Sequence, residues 1–159
     1  MAVAETAYIV PTPGAEDGSD YHLRWFTPDI EMDLCGHATL ASAHVVLHHL
    51  TPDATTVRFS SASGSLTVRK TDDGRIEMDL PSRPPTPAPL PDAIANALNH
   101  APTEVLKARD YVLVYPDQDT VDAIRIDRAE FDQINLGQGG VIVTAPGDNV
   151  DFVSRFFTP

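Results

Sequence analysis

The chain has a single cysteine, Cys35, among 159 residues, so it cannot close an internal disulfide. That usage predicts a reducing compartment, the cytoplasm. Cations are also scarce: 11 Lys and Arg stand against 23 Asp and Glu, a formal net charge of -12. Long-range repulsion then opposes approach to nucleic acid or to an anionic membrane, and neither is expected as a partner. No apolar run comes near the roughly 20 residues that span a bilayer, and no basic segment with an apolar core opens the chain. What is present is a 42% share of apolar residues, enough for a globular core, in a length that suits one average domain or two small ones.

The patterning predicts short strands punctuated by turns. Residues 5–10 are β-branched and aromatic and end at Pro11, Pro13 and Gly14. Residues 21–27 alternate, with Tyr21, Leu23 and Trp25 on one side and His22, Arg24 and Phe26 on the other, and these two strands are expected to pair. Residues 55–60, 65–70 and 75–80 alternate as well, separated by a Ser/Gly turn and by Asp72-Asp73-Gly74, and predict an antiparallel meander. Six prolines within residues 81–91 interrupt both ladder and helix and mark a linker. Beyond it, residues 92–98 predict a helix, 103–108 and 111–115 strands, 119–124 and 127–134 short helical or irregular pieces, and 141–144 and 151–157 strands.

Residues 24–46 organise the first half. Arg24-Trp25-Phe26-Thr27-Pro28 ends a strand, an acidic bridge with Glu31 and Asp33 follows, and Gly36 frees the backbone before an apolar helical run. Leu40, Ala43, Val46, Leu47 and Leu50 recur at helical spacing, and with Ala38, Ala41 and Val45 they go most of the way round, predicting a helix buried among other elements. Free N–H groups and the positive dipole end in its first turn suit an anion. The Arg-Trp-Phe-Thr-Pro run returns as Arg155-Phe156-Phe157-Thr158-Pro159, each copy preceded by a strand and a loop, which points to two structurally equivalent halves.

At these residues the chain resembles a known family, the phenazine-biosynthesis PhzF-like proteins of diaminopimelate-epimerase-like fold. The carriers are Glu5-Thr6-Ala7-Tyr8, Leu23 to Pro28, Glu31-Met32-Asp33-Leu34-Cys35-Gly36-His37-Ala38-Thr39-Leu40 with Ala43-His44-Val45, then Gly64 to Val68, Met78-Asp79-Leu80-Pro81, Val141 to Ala145 and Asp151 to Pro159. The resemblance implies an α+β fold of two pseudo-equivalent lobes, each a β-barrel-like sheet around a central helix. On this chain it divides into an N-terminal lobe over residues 1–82, a proline-rich linker over 83–91 and a partial second lobe over 92–159. The family's opening strand with its Gly-Asn-Pro turn, and the Glu-Asp-Pro-x-Thr-Gly-Ser-Ala-His segment of its second central helix, have no counterparts here, so the lobes are expected to be incomplete at both ends.

The function implied is a cofactor-independent isomerase or epimerase that moves a proton on a small carboxylate metabolite, with a homodimer as the expected assembly. Glu5 matches the family's general acid/base carboxylate, and Gly36 and His37 match residues lining the substrate site. Cys35 falls where related epimerases place a catalytic cysteine. The residues by themselves also admit plainer roles: a solvated Glu5 at a strand start, a His37 bonded to local backbone, and a buried structural thiol with no base beside it in sequence. His37, His44 and His48 share roughly one helical face, but the sequence offers no spaced Cys or carboxylate to complete a metal set, and no metal is expected. The alternative to an enzyme is a non-catalytic ligand-binding or dimerising protein of the same fold.

Overall fold

A computed structural model describes residues 5–137 and 139–159. Its contacts divide the chain into two compact units that meet in sequence between Ser82 and Arg83.

The first unit starts with β1 (Thr6–Pro11) and β2 (Tyr21–Phe26), antiparallel, with Thr6 opposite Phe26 and Pro11 opposite Tyr21. The alternation read from the sequence sorts the faces of β2: Leu23 and Trp25 are fully buried, His22 and Arg24 exposed. β3 (Glu31–Met32) folds back on the end of β2, where Arg24 grips the Glu31 carboxylate through two bonds of 2.7 and 2.8 Å. α1 (Gly36–Val45) follows and ends in a π-helical turn, Val46–Leu50. β4 (Thr56–Ser61), β5 (Gly64–Lys70) and β6 (Ile76–Met78) form the expected antiparallel meander. Gly74 sits at φ +82° in the Asp-Gly turn, a conformation other residues rarely adopt. β4 joins β2 in parallel through Tyr21 and Phe59, giving the order β1-β2-β4-β5-β6 with β3 on β2.

The inner face of this sheet meets α1. Leu23, Trp25, Val57, Phe59, Leu66 and Val68 pack with Ala38, Ala43, Val46 and Leu47, and full burial of each large side chain is worth roughly 1.5–3 kcal/mol. The helix differs from its sequence-based expectation, because it is buried along one side only. Ala38, Thr39, Ser42, Ala43, Val46 and Leu47 face inward, while Ala41, His44, Val45 and Leu50 are exposed. Thr39 and Ser42 can occupy the buried stripe because their hydroxyls donate to helix carbonyls, Cys35 O at 2.7 Å and Ala38 O at 2.8 Å. Apolarity alone therefore did not pick out which side of the helix is buried.

The second unit opens with β7 (Thr86–Pro87), inside the segment read as a linker. Thr86 and Pro87 pair with Lys107 and Leu106 of β8 (Glu104–Lys107), and the Ala88 N–H donates to Val105 O at 3.0 Å. Proline is admitted there because β7 lies at the end of the sheet, where a missing donor costs no ladder bond. Between β7 and β8 lies α2 (Asp92–Ala97); after β8 come β9 (Tyr111–Val114), α3 (Gln118–Ala123), α4 (Arg128–Phe131), β10 (Val141–Pro146) and β11 (Phe152–Phe157). The order is β11-β10-β9-β8-β7, with β9 and β10 parallel and the other pairs antiparallel. Asp117 caps α3 by accepting from Thr120 N at 2.8 Å. Ile94, Leu113, Tyr115, Val121, Ile124, Phe131, Val141 and Val143 form a core separate from the first. Burial pushes the Tyr115 phenol up to about 12, and its hydroxyl donates to His100 O at 3.0 Å.

The repeated pentapeptide occupies the same place in both units. Each copy is the return strand of an antiparallel pair, β1–β2 or β10–β11. In each, the arginine lies over the ring two residues later: Arg24 is 4.8 Å from the Phe26 centroid and Arg155 4.9 Å from that of Phe157. Their hydrogen bonds diverge, since Arg155 donates to Val121 O and Ile124 O at the end of α3.

Candidate active site

The start of α1 is open. Cys35 is its N-cap, with extended backbone angles and no side-chain capping bond, and no acid lies in the first turn. The leading N–H groups therefore have no partner inside the helix, and the positive end of the dipole is not offset from within it. Gly36, the first helical residue, is absent from the positive-φ glycines, so the expectation that it frees the backbone is not met. Its role is spatial. A Cβ built there would meet Met78 Cε at 3.8 Å and Leu80 Cδ1 at 3.9 Å, ordinary contacts, so the missing side chain leaves room above the helix start without being required by packing.

Into that region comes Glu5, immediately before β1. One oxygen, Oε2, is buried and takes no hydrogen bond, yet lies 3.3 Å from His37 Nε2. The His37 side chain is 72% exposed and that of Glu5 19%. Cys35 Sγ lies 3.7 Å from His37 Nδ1 and 3.8 Å from Nε2. Burial raises the Cys35 thiol pKa above its ordinary value; the Ala38 N–H opposes this, and the Glu5 carboxylate adds to it. Cys35 is thus a buried protonated thiol at neutral pH, although two basic groups adjoin it where the sequence showed none.

The structure brings Glu5 to Cys35, Gly36 and His37, some thirty positions further along the chain. It does not assemble His37, His44 and His48 as one set. His37 turns to Glu5 and Cys35, whereas His44 and His48 stack on the exposed side of the helix with ring centroids 4.3 Å apart. The carboxylate that the sequence lacked beside Cys35 and His37 is supplied by the fold: among the described residues, donor atoms of Glu5, Cys35 and His37 all lie within 4.8 Å of one another. Met78 and Leu80, near Gly36, were quoted from the sequence only as carriers of the resemblance and not as site residues. No helix is long and apolar enough to cross a membrane among the described residues.

Comparison with known proteins converges on one group. The family model described as "Phenazine biosynthesis-like protein" matches residues 1–159. The chain belongs to this family. It is 45% identical over 157 residues to an uncharacterized isomerase of Pseudomonas aeruginosa, covering 99% of this chain and 58% of that one. It is 35% identical to the human phenazine biosynthesis-like domain-containing protein, with 62% of that protein covered. The chain thus spans about three-fifths of the length of the curated relatives it matches. Among solved structures, a phenazine biosynthesis protein of the PhzF family from Enterococcus faecalis is similar at TM-score 0.79 and 41% identity over 99% of this chain and 58% of that one. A hydroxyproline epimerase from Agrobacterium vitis shares the fold at TM-score 0.57 and 10% identity, over 99% of this chain and 54% of that one. The α+β fold is therefore the diaminopimelate-epimerase-like one of the phenazine biosynthesis-like family.

Proposed function

We propose that this chain carries one side of the active site of a cofactor-independent isomerase that moves a proton on a small carboxylate metabolite. The observation that supports this most is Glu5: a carboxylate with one buried oxygen free of hydrogen bonds, beside an imidazole, at an uncapped helix start. Abstraction of a proton from carbon needs a base that is near the substrate and not already committed to a donor. In this reading Glu5 takes and returns the proton. His37, whose Nε2 lies 3.3 Å from the carboxylate, hydrogen-bonds the substrate, and its exposure leaves it free to do so as substrate enters. The first-turn N–H groups at Gly36 and His37 receive the substrate carboxylate in the space that Gly36 leaves. Cys35, protonated, lines the site without acting as nucleophile. The isomerase name borne by the Pseudomonas relative supports the same reaction class.

The test is solvent-deuterium incorporation into a panel of small carboxylates, followed by mass spectrometry. Glu5→Gln should lower exchange by about 100- to 10,000-fold while leaving ligand affinity nearly unchanged. Exchange that survives the substitution removes Glu5 from the mechanism. A panel member that binds the wild type but never exchanges favours the non-catalytic ligand-binding alternative.

A further inference from the structure

The geometry assigns to Glu5, Cys35 and His37 a second capacity: they form a binding site for a thiophilic divalent cation of the zinc type, whose occupancy blocks the catalytic carboxylate. The inference rests on the proposed role of Glu5 only for its consequence, inhibition, and not for the binding itself.

Two of the three donor separations are close to those of a tetrahedral zinc site. Zinc bonds of about 2.3 Å to sulfur, about 2.0–2.1 Å to imidazole and about 2.0–2.2 Å to carboxylate, at the tetrahedral angle, separate sulfur from nitrogen by about 3.6 Å and nitrogen from oxygen by about 3.4 Å. Here Cys35 Sγ and His37 Nε2 are 3.8 Å apart, and His37 Nε2 and Glu5 Oε2 are 3.3 Å apart. All three donor atoms fall within 4.8 Å of one another, so an ion is bound by small side-chain rotations. Nε2 adjoins both partners, while Nδ1 stands 3.7 Å from the same sulfur, so the exposed imidazole turns to present Nε2 to a bound ion. Glu5 Oε2 is buried and without a hydrogen bond, so coordination satisfies an otherwise unpaired acceptor instead of displacing one.

The donor set also selects the ion. A thiolate and an imidazole favour zinc over magnesium or calcium, which prefer all-oxygen shells. Three protein ligands leave the fourth position to water or to a substrate carboxylate. Binding replaces the Cys35 S–H proton by the metal, and that proton goes to solvent. The ion approaches from the side of His37, whose side chain is largely exposed. Once seated, it occupies the oxygen that proton abstraction needs. Exposed His44, His48 and His49 form a competing histidine cluster about two turns further along the helix.

The test uses the purified chain, stripped with chelator and titrated with zinc against a chromophoric competitor, and in parallel with cobalt(II). One equivalent should bind, and cobalt should show a sulfur-to-metal charge-transfer band. Cys35→Ser should abolish that band, and Cys35→Ser and His37→Asn should each weaken zinc binding by at least about 100-fold. His37→Asn alters an exposed side chain, so it tests the site without threatening the core. His44→Asn/His48→Asn should change nothing. Binding that survives Cys35→Ser and His37→Asn, binding lost only in the His44/His48 variant, or no equimolar binding overturns the site. Binding without any deuterium-exchange activity would leave the metal site standing and count against the catalytic reading, whereas exchange that equimolar zinc does not suppress would reject the inhibition.

Discussion

Cys35 shows how one residue's chemistry is decided by what surrounds it. A thiol at a helix N-terminus is commonly acidified, yet burial and the neighbouring Glu5 carboxylate raise this one. The sign follows directly. A raised pKa means that the folded chain holds the proton more tightly than the unfolded chain, so the stability this thiol contributes is present below its ordinary value and is lost as pH climbs through the raised one. Its reactivity runs the opposite way. At pH 8 Cys35 should alkylate with iodoacetamide at least about tenfold more slowly than a free cysteine, with the rate growing only at more alkaline pH. Glu5→Gln, which removes the opposing charge, should speed alkylation but leave it below the free-thiol rate, since burial is the larger cause. A rate equal to that of free cysteine at pH 8, read by intact mass, contradicts this account.

At the scale of elements, glycines of equal appearance in the sequence do unequal work. Gly36 begins α1 with room for a Cβ, whereas a Cβ at Gly140, just before β10, would stand 2.5 Å from the Phe156 ring and 2.6 Å from Phe157 O. The exposed Phe156 ring can swing aside, but Phe157 is held opposite Val141 in the β10–β11 ladder, so the strand itself must shift. Gly140→Ala should destabilise the fold by about 1–3 kcal/mol in urea unfolding. Gly36→Ala should preserve stability or raise it by up to about 1 kcal/mol, while filling the space at the helix start and lowering affinity for a carboxylate ligand. A Gly36→Ala protein that is unstable, or one that binds unchanged, would falsify the spatial role given to this residue. The π-helical turn after α1 belongs to the same scale: Thr51 N reaches Val46 O at 2.7 Å, a hydrogen-bond choice that no periodicity of the apolar residues announces.

For the whole molecule, the telling feature is that two cores arise from 159 residues. Phe59 and Trp25 anchor one, Phe131 and Tyr115 the other, all at or below 1% exposure. Each core is bounded by its own sheet, and contacts cluster within residues 83–159 as they do in the preceding ones. Phe131→Ala should cost about 3–5 kcal/mol. In amide hydrogen exchange it should strip protection from β9 and β10 while β4 and β5 remain protected. Equal loss of protection in both sheets would show the two cores to be one cooperative unit.

Much of this was legible in the chain itself, because strands announce themselves through period-two alternation and turns through Asp-Gly and proline. The pairing of β1 with β2, the β4–β6 meander and the repeated Arg-x-Phe-Thr-Pro strand could be read from side-chain chemistry alone. Other features depend on contacts between distant residues, which local patterning does not encode. Pro87 is a strand residue only because β8 lies beside it, and Thr39 and Ser42 are core residues only because helix carbonyls lie within reach of their hydroxyls. Glu5 entered the candidate site through family resemblance, not spacing. That its buried oxygen lies against His37, in a cluster with the Cys35 sulfur, was decided by the sheet and helix that carry them, since electrostatic and coordination chemistry act through distances of a few ångströms in space.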